Sequence, residues 1–354
     1  MKKYLGAVAL SSALTLAGCG GGGGSSRAPI PGGGTTPPVA SGSDFDQGIF
    51  RDSSVYKDFC ENPRVGANFS DVQGTTEDEN DWLRAWSNEL YLWYDEIVDE
   101  DPAAFETLPY FDLMKTFATT NTGADKDRFH FTFDTEEYEQ LSQSGITAGY
   151  GAEIAVENAT PPREVIVAFV EPGSPAANQG LARGDRILEA DGADVVNGSS
   201  QADVDAINAA LFPASSGEQH TFVVANVNTN IERTVSVTAA EVTVDPVPDV
   251  ALINTAAGPV GYLHFTTHIA TAESELIGAV NALAGNNITE LVLDLRDNGG
   301  GFLDIANELA YMIAGPAAAQ GRVFDEIKFS DKHPTTNPVT GRALAPDFFH
   351  TTTQ

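Results

Sequence analysis

The fold is decided between Leu291 and Ile313, where the chain reads LVLDLRDNGGGFLDIANELAYMI. The first five residues form an apolar run, which is typical of a buried parallel strand. Three glycines, Gly299 to Gly301, then let the backbone take positive φ angles and let another group approach closely. Apolar residues recur at helical spacing after them until Gly315-Pro316, a pair typical of a helix end. The stretch therefore predicts a strand, a glycine turn and a helix.

The glycine turn predicts a place for negative charge. Backbone N–H groups at the start of a helix lack partners and carry partial positive charge, so they hold an anion or an oxygen that becomes one during a reaction. The G-x-G-x-x-G spacing of dinucleotide sites and the Gly-Lys-Ser/Thr of phosphate-binding loops are both absent here. Two alternatives remain: an oxyanion hole for acyl transfer, or a plain glycine turn between strand and helix.

The segment DLRDNGGG, from Asp294 to Gly301, followed by an amphipathic helix, resembles the signature of the tail-specific, or C-terminal processing, serine peptidase family. Upstream, Gly261 to Phe265 resembles the strand that precedes this signature, and residues 149 to about 237 resemble the family's PDZ domain. The resemblance implies that a backbone N–H of the glycine run helps to form an oxyanion hole. It assigns this role to Gly300 and Gly301 jointly.

The PDZ resemblance brings its own expectations. Gly149, Tyr150, Gly151 and Ala152 stand where a PDZ domain has its carboxylate-binding loop. In such a loop successive N–H groups bind a peptide's terminal carboxylate, and the peptide adds as a strand beside the domain's edge strand. The most specific signal is GLARGDRIL, from Gly180 to Leu188. The implied partners are proteins or peptides bound by their C-terminal tails; the alternative is a generic small β-rich domain.

The catalytic groups of the resembled family are missing from this chain. The family needs a serine nucleophile that is activated by a lysine, or in a related branch by a histidine. The resemblance places the serine well past the glycine run and the lysine further on, beyond Gln354. Ser330 is the only serine after Gly301, and Lys332 is too near it to serve as the distant base. His130 is expected to be an ordinary surface or strand histidine.

The order of predicted elements indicates a multidomain α/β and α+β protein. Residues 49–135 predict a small helical domain, residues 136–242 a PDZ-like β-rich domain, and residues 241–257 a connector. Residues 250–354 predict strand, helix, strand, helix, which is the N-terminal part of an α/β peptidase domain with parallel pairing. Two strands and two helices leave a sheet edge and an apolar face unburied, which favours a fragment of a longer product over a natural non-catalytic binding protein.

One long helix is predicted in the N-terminal domain. The run Thr76 to Glu79 fits a capping box. Tryptophan, leucine and other apolar residues follow at helical spacing as far as Ile97, so all three tryptophans are expected on this helix. A buried helix that packs a small domain is the favoured interpretation, and an aromatic binding stripe is the alternative.

The N-terminus predicts a lipoprotein. Residues 1–19 contain a positive start and an apolar segment too short to span a bilayer, and they end in LAGC, which resembles a bacterial lipobox. A conventional signal peptide with a chance cysteine is the alternative. Lipidation of Cys19 would anchor the protein to a membrane, and Gly20 in place of Asp favours the outer membrane facing the periplasm. Residues 20–48, rich in Gly, Ser and Pro, predict a flexible tether.

Composition limits the partners further. The formal net charge of −31 argues against nucleic acid, because nothing offsets phosphate repulsion. The charge is explained either by solubility in a salty medium or by selection of basic or unfolded substrates. Only two cysteines occur, so if Cys19 is lipidated, Cys60 is a free thiol or pairs outside this chain. No cluster of His, Cys and carboxylates has metal-ligand spacing, so no metal or cofactor is predicted.

Overall fold

The structure is a computed structural model that describes residues 7–8, 45–64 and 69–352. Cys19, the lipobox and most of the predicted tether lie outside the described residues, so these assignments stay predictions. Among the described residues, no helix combines the length and apolar character that crossing a bilayer requires.

The helices, in chain order, are α1 (Thr76–Leu90), α2 (Thr107–Phe111), α3 (Thr135–Ser144), α4 (Pro175–Asn178), α5 (Gln201–Leu211), α6 (Ala272–Gly285), α7 (Leu303–Ala314) and α8 (Pro316–Ala319). The strands are β1 (Ala7–Val8), β2 (Phe59–Cys60), β3 (Val72–Gln73), β4 (Ile146–Gly149), β5 (Ala152–Asn158), β6 (Glu164–Val170), β7 (Asp185–Ala190), β8 (Ala193–Asp194), β9 (Gln219–Asn226), β10 (Glu232–Thr238), β11 (Ala240–Thr243), β12 (Asp249–Thr255), β13 (Gly258–His264), β14 (Glu290–Asp294), β15 (Gly300–Gly301), β16 (Val323–Asp325) and β17 (Asp347–Phe348). The mixed α/β and α+β fold class is confirmed.

The capping box of α1 lies one residue earlier than the sequence suggested. Thr75 is the N-cap, and its hydroxyl oxygen accepts the N–H of Asp78 at 3.2 Å. The Asp78 carboxylate in turn accepts the N–H of Thr75 at 2.9 Å. Both Thr75 and Thr76 fit the local pattern, and the structure chooses Thr75 because its backbone is extended while Thr76 is already helical.

The predicted continuation of α1 to Ile97 is wrong. The helix ends at Leu90, because Tyr91 adopts an extended backbone and donates its hydroxyl hydrogen to Asp127 at 2.5 Å. Trp82 and Trp86 therefore stack within α1, with ring centroids 5.0 Å apart, while Trp93 lies beyond the helix. His130 is an ordinary partnered histidine, as expected: its ring stacks on Phe111 and bonds the carbonyl of that residue.

The PDZ-like domain is built on one antiparallel sheet with the order β10-β9-β7-β6-β5, in which β8 pairs with β7. Its core contains buried valines of β6 and β9 together with Ile207 and Leu211 of α5. Strand β5 lies at the edge of the sheet and begins directly after the predicted carboxylate-binding loop. This arrangement leaves one edge of β5 open, as strand addition requires.

The α/β unit is a three-stranded sheet with the order β12-β13-β14. The predicted parallel pairing is present between β13 and β14, and α6 and α7 pack on the sheet around Leu263 and Phe265. The predicted connector at residues 241–257 is wrong, since it contains β11 and the antiparallel strand β12. All seven residues of β12 are exposed, so no apolar alternation marks it in the sequence.

Cys60 lies on β2 with 1% of its surface exposed, and it is disulfide-bonded, which corrects the free-thiol alternative. The only other cysteine of the sequence, Cys19, lies outside the described residues. A sulfur in a disulfide cannot also carry a lipid, so lipidation of Cys19 requires another partner for Cys60.

We expect Thr75→Ala to lower the free energy of unfolding of the helical domain by about 1 kcal/mol, because the hydroxyl that accepts the Asp78 N–H is lost, while the backbone N–H of residue 75 can still donate to Asp78. Thr76→Ala is the matched control and should change little. Urea unfolding followed by tryptophan fluorescence measures this, since all three tryptophans lie in or just after α1. Equal losses in the two variants would contradict the assignment of Thr75 as the cap.

Candidate active site

The glycine run sits in a tight corner between β14 and α7. Gly300 and Gly301 have φ angles of 91° and 132°, a region that side chains strain to enter. A Cβ atom on Gly301 would overlap the backbone carbonyl of His268, whereas one on Gly299 would meet open space. The corner therefore requires glycine at position 301 for two independent reasons, backbone conformation and close approach.

Most N–H groups of this corner already have partners. Gly299 donates to the Thr266 carbonyl at 3.1 Å, and Gly300 donates to Asn298 Oδ1 at 2.9 Å. Phe302 donates to the His268 carbonyl at 2.8 Å. Within residues 45–64 and 69–352 the N–H of Gly301 has no acceptor, and the outer edge of Gly300–Gly301 pairs in parallel with β1. The Gly301 N–H therefore lies on the edge that pairs with β1, on the side of the corner away from His268.

His268 shapes this corner, although the sequence analysis did not single it out. Its own N–H donates to the Gly300 carbonyl at 2.8 Å, so its backbone forms a short ladder with the glycines. Burial lowers the pKa of its imidazole, which is therefore neutral at pH 7. The ring lies 4.4 Å from that of Phe265, centroid to centroid. A buried backbone partner from a distant loop leaves no mark in the local sequence.

Asp297, just before the glycines, joins the α/β unit to the PDZ-like domain. Its carboxylate accepts a hydrogen bond from Arg183 Nη1 at 2.7 Å and lies 3.3 Å from His264 Nε2. The Asp297 side chain is only 5% exposed, so these contacts are shielded from solvent. Phe169 of β6 packs edge-on against the His264 ring. Both domains therefore position the loop that leads into the glycine corner.

The end of β14 is held by a polar cluster. Asp294 accepts bonds from Arg296 Nε and Nη2 and from the Tyr262 hydroxyl at 2.7 Å. The guanidinium and hydroxyl hydrogen bonds hold the pKa of the Asp294 carboxyl well below its usual range. The carboxylate is thus ionised at neutral pH, and it fixes the first residues of the turn.

Ser330 and Lys332 do not form a catalytic pair. Ser330 is 3% exposed, and its Oγ has no partner among the described residues. Lys332 Nζ donates to the carbonyl oxygen and Oδ1 of Asn88 at 2.6 and 2.9 Å, and it lies over the Tyr94 ring. The lysine therefore contributes to docking this loop on the end of α1.

One cluster with metal-ligand atoms was not visible in the sequence. Asp304, Asp347 and His350 bring one ligand atom each within 4.8 Å of one another. The His350 ring nitrogens lie 3.9 and 3.6 Å from the two carboxylates, so an ion pair with protonated histidine also accounts for the grouping. These residues come from the start of α7 and from the segment around β17, and no spacing rule connects them.

The predicted carboxylate-binding loop connects β4 to β5. The Tyr150 side chain points inward, and its hydroxyl donates to the Ala210 carbonyl of α5 at 2.9 Å. The carbonyls of Tyr150 and Gly151 accept N–H groups of Ala176 and Glu171. Within the described part of the chain, the N–H groups of Tyr150 and Gly151 have no acceptor. The loop thus turns its carbonyls inward and leaves two amides for a ligand.

Gly151 could not be replaced without moving this loop. Its φ angle is 70°, and a Cβ atom here would overlap the Cβ of Ser174. Ser174 caps α4 by accepting the N–H of Ala177, so it is itself held in place. The same combination of positive φ and close approach therefore occurs at this loop and at the glycine corner.

Glu171 lies directly behind the loop and donates its N–H to the Gly151 carbonyl. Burial, together with the nearby charges of Asp245 and Glu153, raises the pKa of its carboxyl to about 7. The carboxyl is therefore about half protonated near neutral pH. A protonated Glu171 adds no negative charge behind a loop that is expected to bind a carboxylate.

Comparison with known proteins agrees with this geometry. Residues 259–335 match the model of peptidase family S41, and residues 140–210 match the model of the PDZ domain. The first range contains the glycine corner, and the second contains the carboxylate-binding loop with nearly all of α5. The resemblance to the tail-specific proteases is confirmed.

The relatives are processing proteases that are longer than this chain. A carboxyl-terminal-processing protease of Picosynechococcus sp. is 35% identical over 178 residues, covering 49% of this chain and 41% of the relative. The chloroplastic carboxyl-terminal-processing peptidase 2 of Arabidopsis thaliana is 27% identical over 262 residues, covering 67% and 48%. The solved photosystem II D1 C-terminal processing protease is 21% identical, with a TM-score of 0.39 and coverage of 67% of this chain and 64% of that one. The chain spans less than half the length of these two curated relatives.

We expect Gly301→Ala to destabilise the α/β unit by about 2 kcal/mol, because alanine is strained at this φ angle and its Cβ meets the His268 carbonyl. Gly299→Ala is the control, since its Cβ meets open space. Hydrogen exchange across α7 should become faster in Gly301→Ala and stay unchanged in Gly299→Ala. Similar exchange in both variants would show that the corner tolerates a side chain.

Proposed function

We propose that this chain, which resembles the tail-specific proteases, binds proteins by their C-terminal tails, as part of a serine endopeptidase that cleaves them. The observation that carries the proposal is the Tyr150–Gly151 loop, whose two N–H groups have no acceptor among the described residues and lie beside an open strand edge. The Gly301 amide, on the edge of the glycine corner that pairs with β1, is the candidate donor for cleavage.

Tail binding follows from the loop and the edge strand. The N–H groups of Tyr150 and Gly151 donate to the terminal carboxylate, and the preceding peptide adds to the open edge of β5. Because its pKa is raised to about 7, Glu171 behind the loop is partly protonated near neutral pH, and the protonated form does not repel that carboxylate. A free C-terminus is thereby distinguished from an internal stretch of the same sequence, since only the terminus carries the carboxylate.

Peptide cleavage in this family is acyl transfer by an activated serine. The serine oxygen attacks the scissile carbonyl, the base takes the serine proton, and the carbonyl oxygen becomes an oxyanion. We assign the oxyanion donor to Gly301, because the Gly300 N–H is already bonded to Asn298. Loss of one such donor typically costs roughly 3–4 kcal/mol of transition-state stabilisation.

The nucleophile and base are not among these 354 residues. Lys332 is bonded to Asn88, Ser330 is buried with no partner for its Oγ among the described residues, and the sequence contains no other serine after Gly301. We therefore propose that these residues alone bind tails without cleaving them. The second candidate function is a non-catalytic envelope protein that binds peptide C-termini, and the bonding of Lys332 to Asn88 rather than to Ser330 favours it.

We further propose a place in the bacterial cell envelope. The proposal rests on residues 1–19, whose composition is that of a lipoprotein signal peptide. Lipidation at Cys19 would anchor the protein to the outer membrane, facing the periplasm. The tether of residues 20–48 would then separate the folded domains from the lipid surface.

Tail binding is tested with labelled peptides that differ only at the C-terminus. We expect a free-acid peptide to bind at least about tenfold tighter than its C-terminal amide, because the amide lacks the charge that the loop amides bind. Gly151→Ala should remove this difference, whereas Gly192→Ala, at another positive-φ glycine away from the loop, should keep it. Fluorescence anisotropy gives both affinities, and equal binding of acid and amide would refute the carboxylate-binding role.

Hydrolysis is tested with the purified chain and an unfolded protein substrate. We expect no cleavage, because the sequence contains no serine and base in the family's setting. Gel analysis and mass spectrometry after long incubation would detect any products. Cleavage that disappears in Ser330→Ala, but persists in the control Ser274→Ala, would contradict the proposal and assign Ser330 a catalytic role.

A further inference from the structure

We propose that Glu171 couples tail binding to the uptake of a proton, so that the loop binds C-terminal carboxylates more weakly as the pH rises through neutrality. The inference rests on the proposed function, because it needs a tail carboxylate held by the amides of Tyr150 and Gly151. It adds a means of regulating that site, which the amides alone do not supply.

Glu171 is built into the back of the carboxylate-binding loop. Its N–H donates to the Gly151 carbonyl at 2.8 Å, and its own carbonyl accepts the N–H of Ser174 at 3.2 Å. Ser174 is the residue whose Cβ leaves no room for a side chain on Gly151. Glu171 is only 8% exposed, so solvent screens its carboxyl poorly from a negative charge held in the loop.

The charges that act on the Glu171 carboxyl are acidic. The Asp245 N–H, from the segment after β11, donates to Glu171 Oε2 at 3.5 Å. The Asp245 carboxylate and that of Glu153 on β5 act on Glu171 as like charges. Burial raises the pKa of Glu171 to about 7, the two like charges add to this rise, and the Asp245 N–H offsets it only in part. The carboxyl therefore gains or loses its proton near neutral pH.

The acidic group continues into the α/β unit. The Asp245 carboxyl is hydrogen-bonded to that of Glu275, in the first turn of α6. Two carboxyl groups form such a bond only if one of them carries a proton. Burial, together with the charge and the hydrogen bond of Asp245, raises the pKa of Glu275. The junction between the two domains thus holds protons on its carboxyls, and Glu171 lies at the end nearest the loop.

A bound tail and an ionised Glu171 repel each other. The terminal carboxylate of a peptide is ionised throughout the neutral range, so only Glu171 changes its charge there. Because the tail disfavours the ionised form, the pKa of Glu171 is higher in the complex than in the free protein, and binding takes up protons. The favourable contribution is fully present below the pKa of the free protein, about 7, and is lost as the pH rises through the pKa of the complex.

His220 is a second titratable group close to the loop. Its ring packs edge-on to that of Tyr150, with centroids 6.5 Å apart, and its Nδ1 lies 2.6 Å from Asp191 Oδ2. A histidine gains positive charge as the pH falls, which would also strengthen carboxylate binding at low pH. The experiment therefore has to separate His220 from Glu171.

The test measures binding of the full 354-residue chain to a labelled peptide, as the free acid and as the C-terminal amide. We expect the affinity for the acid to fall about three- to tenfold from about pH 5.5 to about pH 9, because a further pKa rise of roughly half a unit to one unit corresponds to that change. The amide lacks the terminal charge and should change little. Calorimetry near about pH 7, in buffers of different ionisation enthalpy, should show proton uptake with the acid only.

Variants assign the proton to its residue. Glu171→Gln keeps an oxygen that can accept the Asp245 N–H, and it should bind the acid at high pH as tightly as the unmodified chain does at low pH. Asp245→Asn removes a like charge but keeps that N–H, so the midpoint of the affinity change should move to lower pH. Glu232→Gln, on the far edge strand β10, is the matched control and should keep the original profile, as should His220→Gln.

The outcomes separate the two proposals. If the acid binds no better than the amide at any pH, the proposed function fails and this inference fails with it. If the acid binds better but its affinity does not change with pH, tail binding stands and the coupling is wrong. A pH dependence that persists in Glu171→Gln and disappears in His220→Gln would overturn the assignment to Glu171. Should circular dichroism show that Glu171→Gln does not fold, Asp245→Asn decides, since an unchanged midpoint overturns the proposal.

Discussion

The close approach of the His268 backbone to Gly301 is the constraint on which the α/β unit depends. His268 donates to Gly300 and accepts from Phe302, so the glycine corner and the first turn of α7 are fixed to one loop. The contact is possible only because position 301 has no side chain. Since the ladder with His268 uses the inner side of the corner, the Gly301 N–H lies on the outer side, the edge that pairs with β1.

The same physical solution appears at the second site. At Gly151 a positive φ angle and the close approach of Ser174 turn two carbonyls inward and leave two amides outward. In this loop the carbonyls of Tyr150 and Gly151 are bonded within the domain, and their N–H groups have no acceptor among the described residues. Arg183 and Asp297 connect the two regions, because the arginine comes from the PDZ-like domain and the aspartate precedes the glycine corner.

Local patterns predicted those parts that depend on neighbouring residues. The strand at 290–294, the helix after the glycines and the loop at Gly149 to Ala152 were all predicted, because periodicity and glycine placement are local properties. The end of α1 was not, since Tyr91 leaves the helix to bond Asp127, far along the chain. Strand β12 was missed as well, because an exposed edge strand pairs by backbone alone and shows no apolar alternation.

The sequence by itself determined that a glycine corner follows a parallel strand and that a PDZ-like loop precedes it, since both turns follow from residue types that permit unusual φ angles. The predicted burial of that strand was wrong, because β14 lies at the edge of its sheet and Val292 is 48% exposed. Only the tertiary structure decided which amide of the corner faces outward. The Gly299 and Gly300 amides are taken by Thr266 and by Asn298, whose side chain is held by the Phe265 carbonyl. Hydrogen-bond partners from another loop leave no periodic signal, and so the choice of Gly301 required the folded chain.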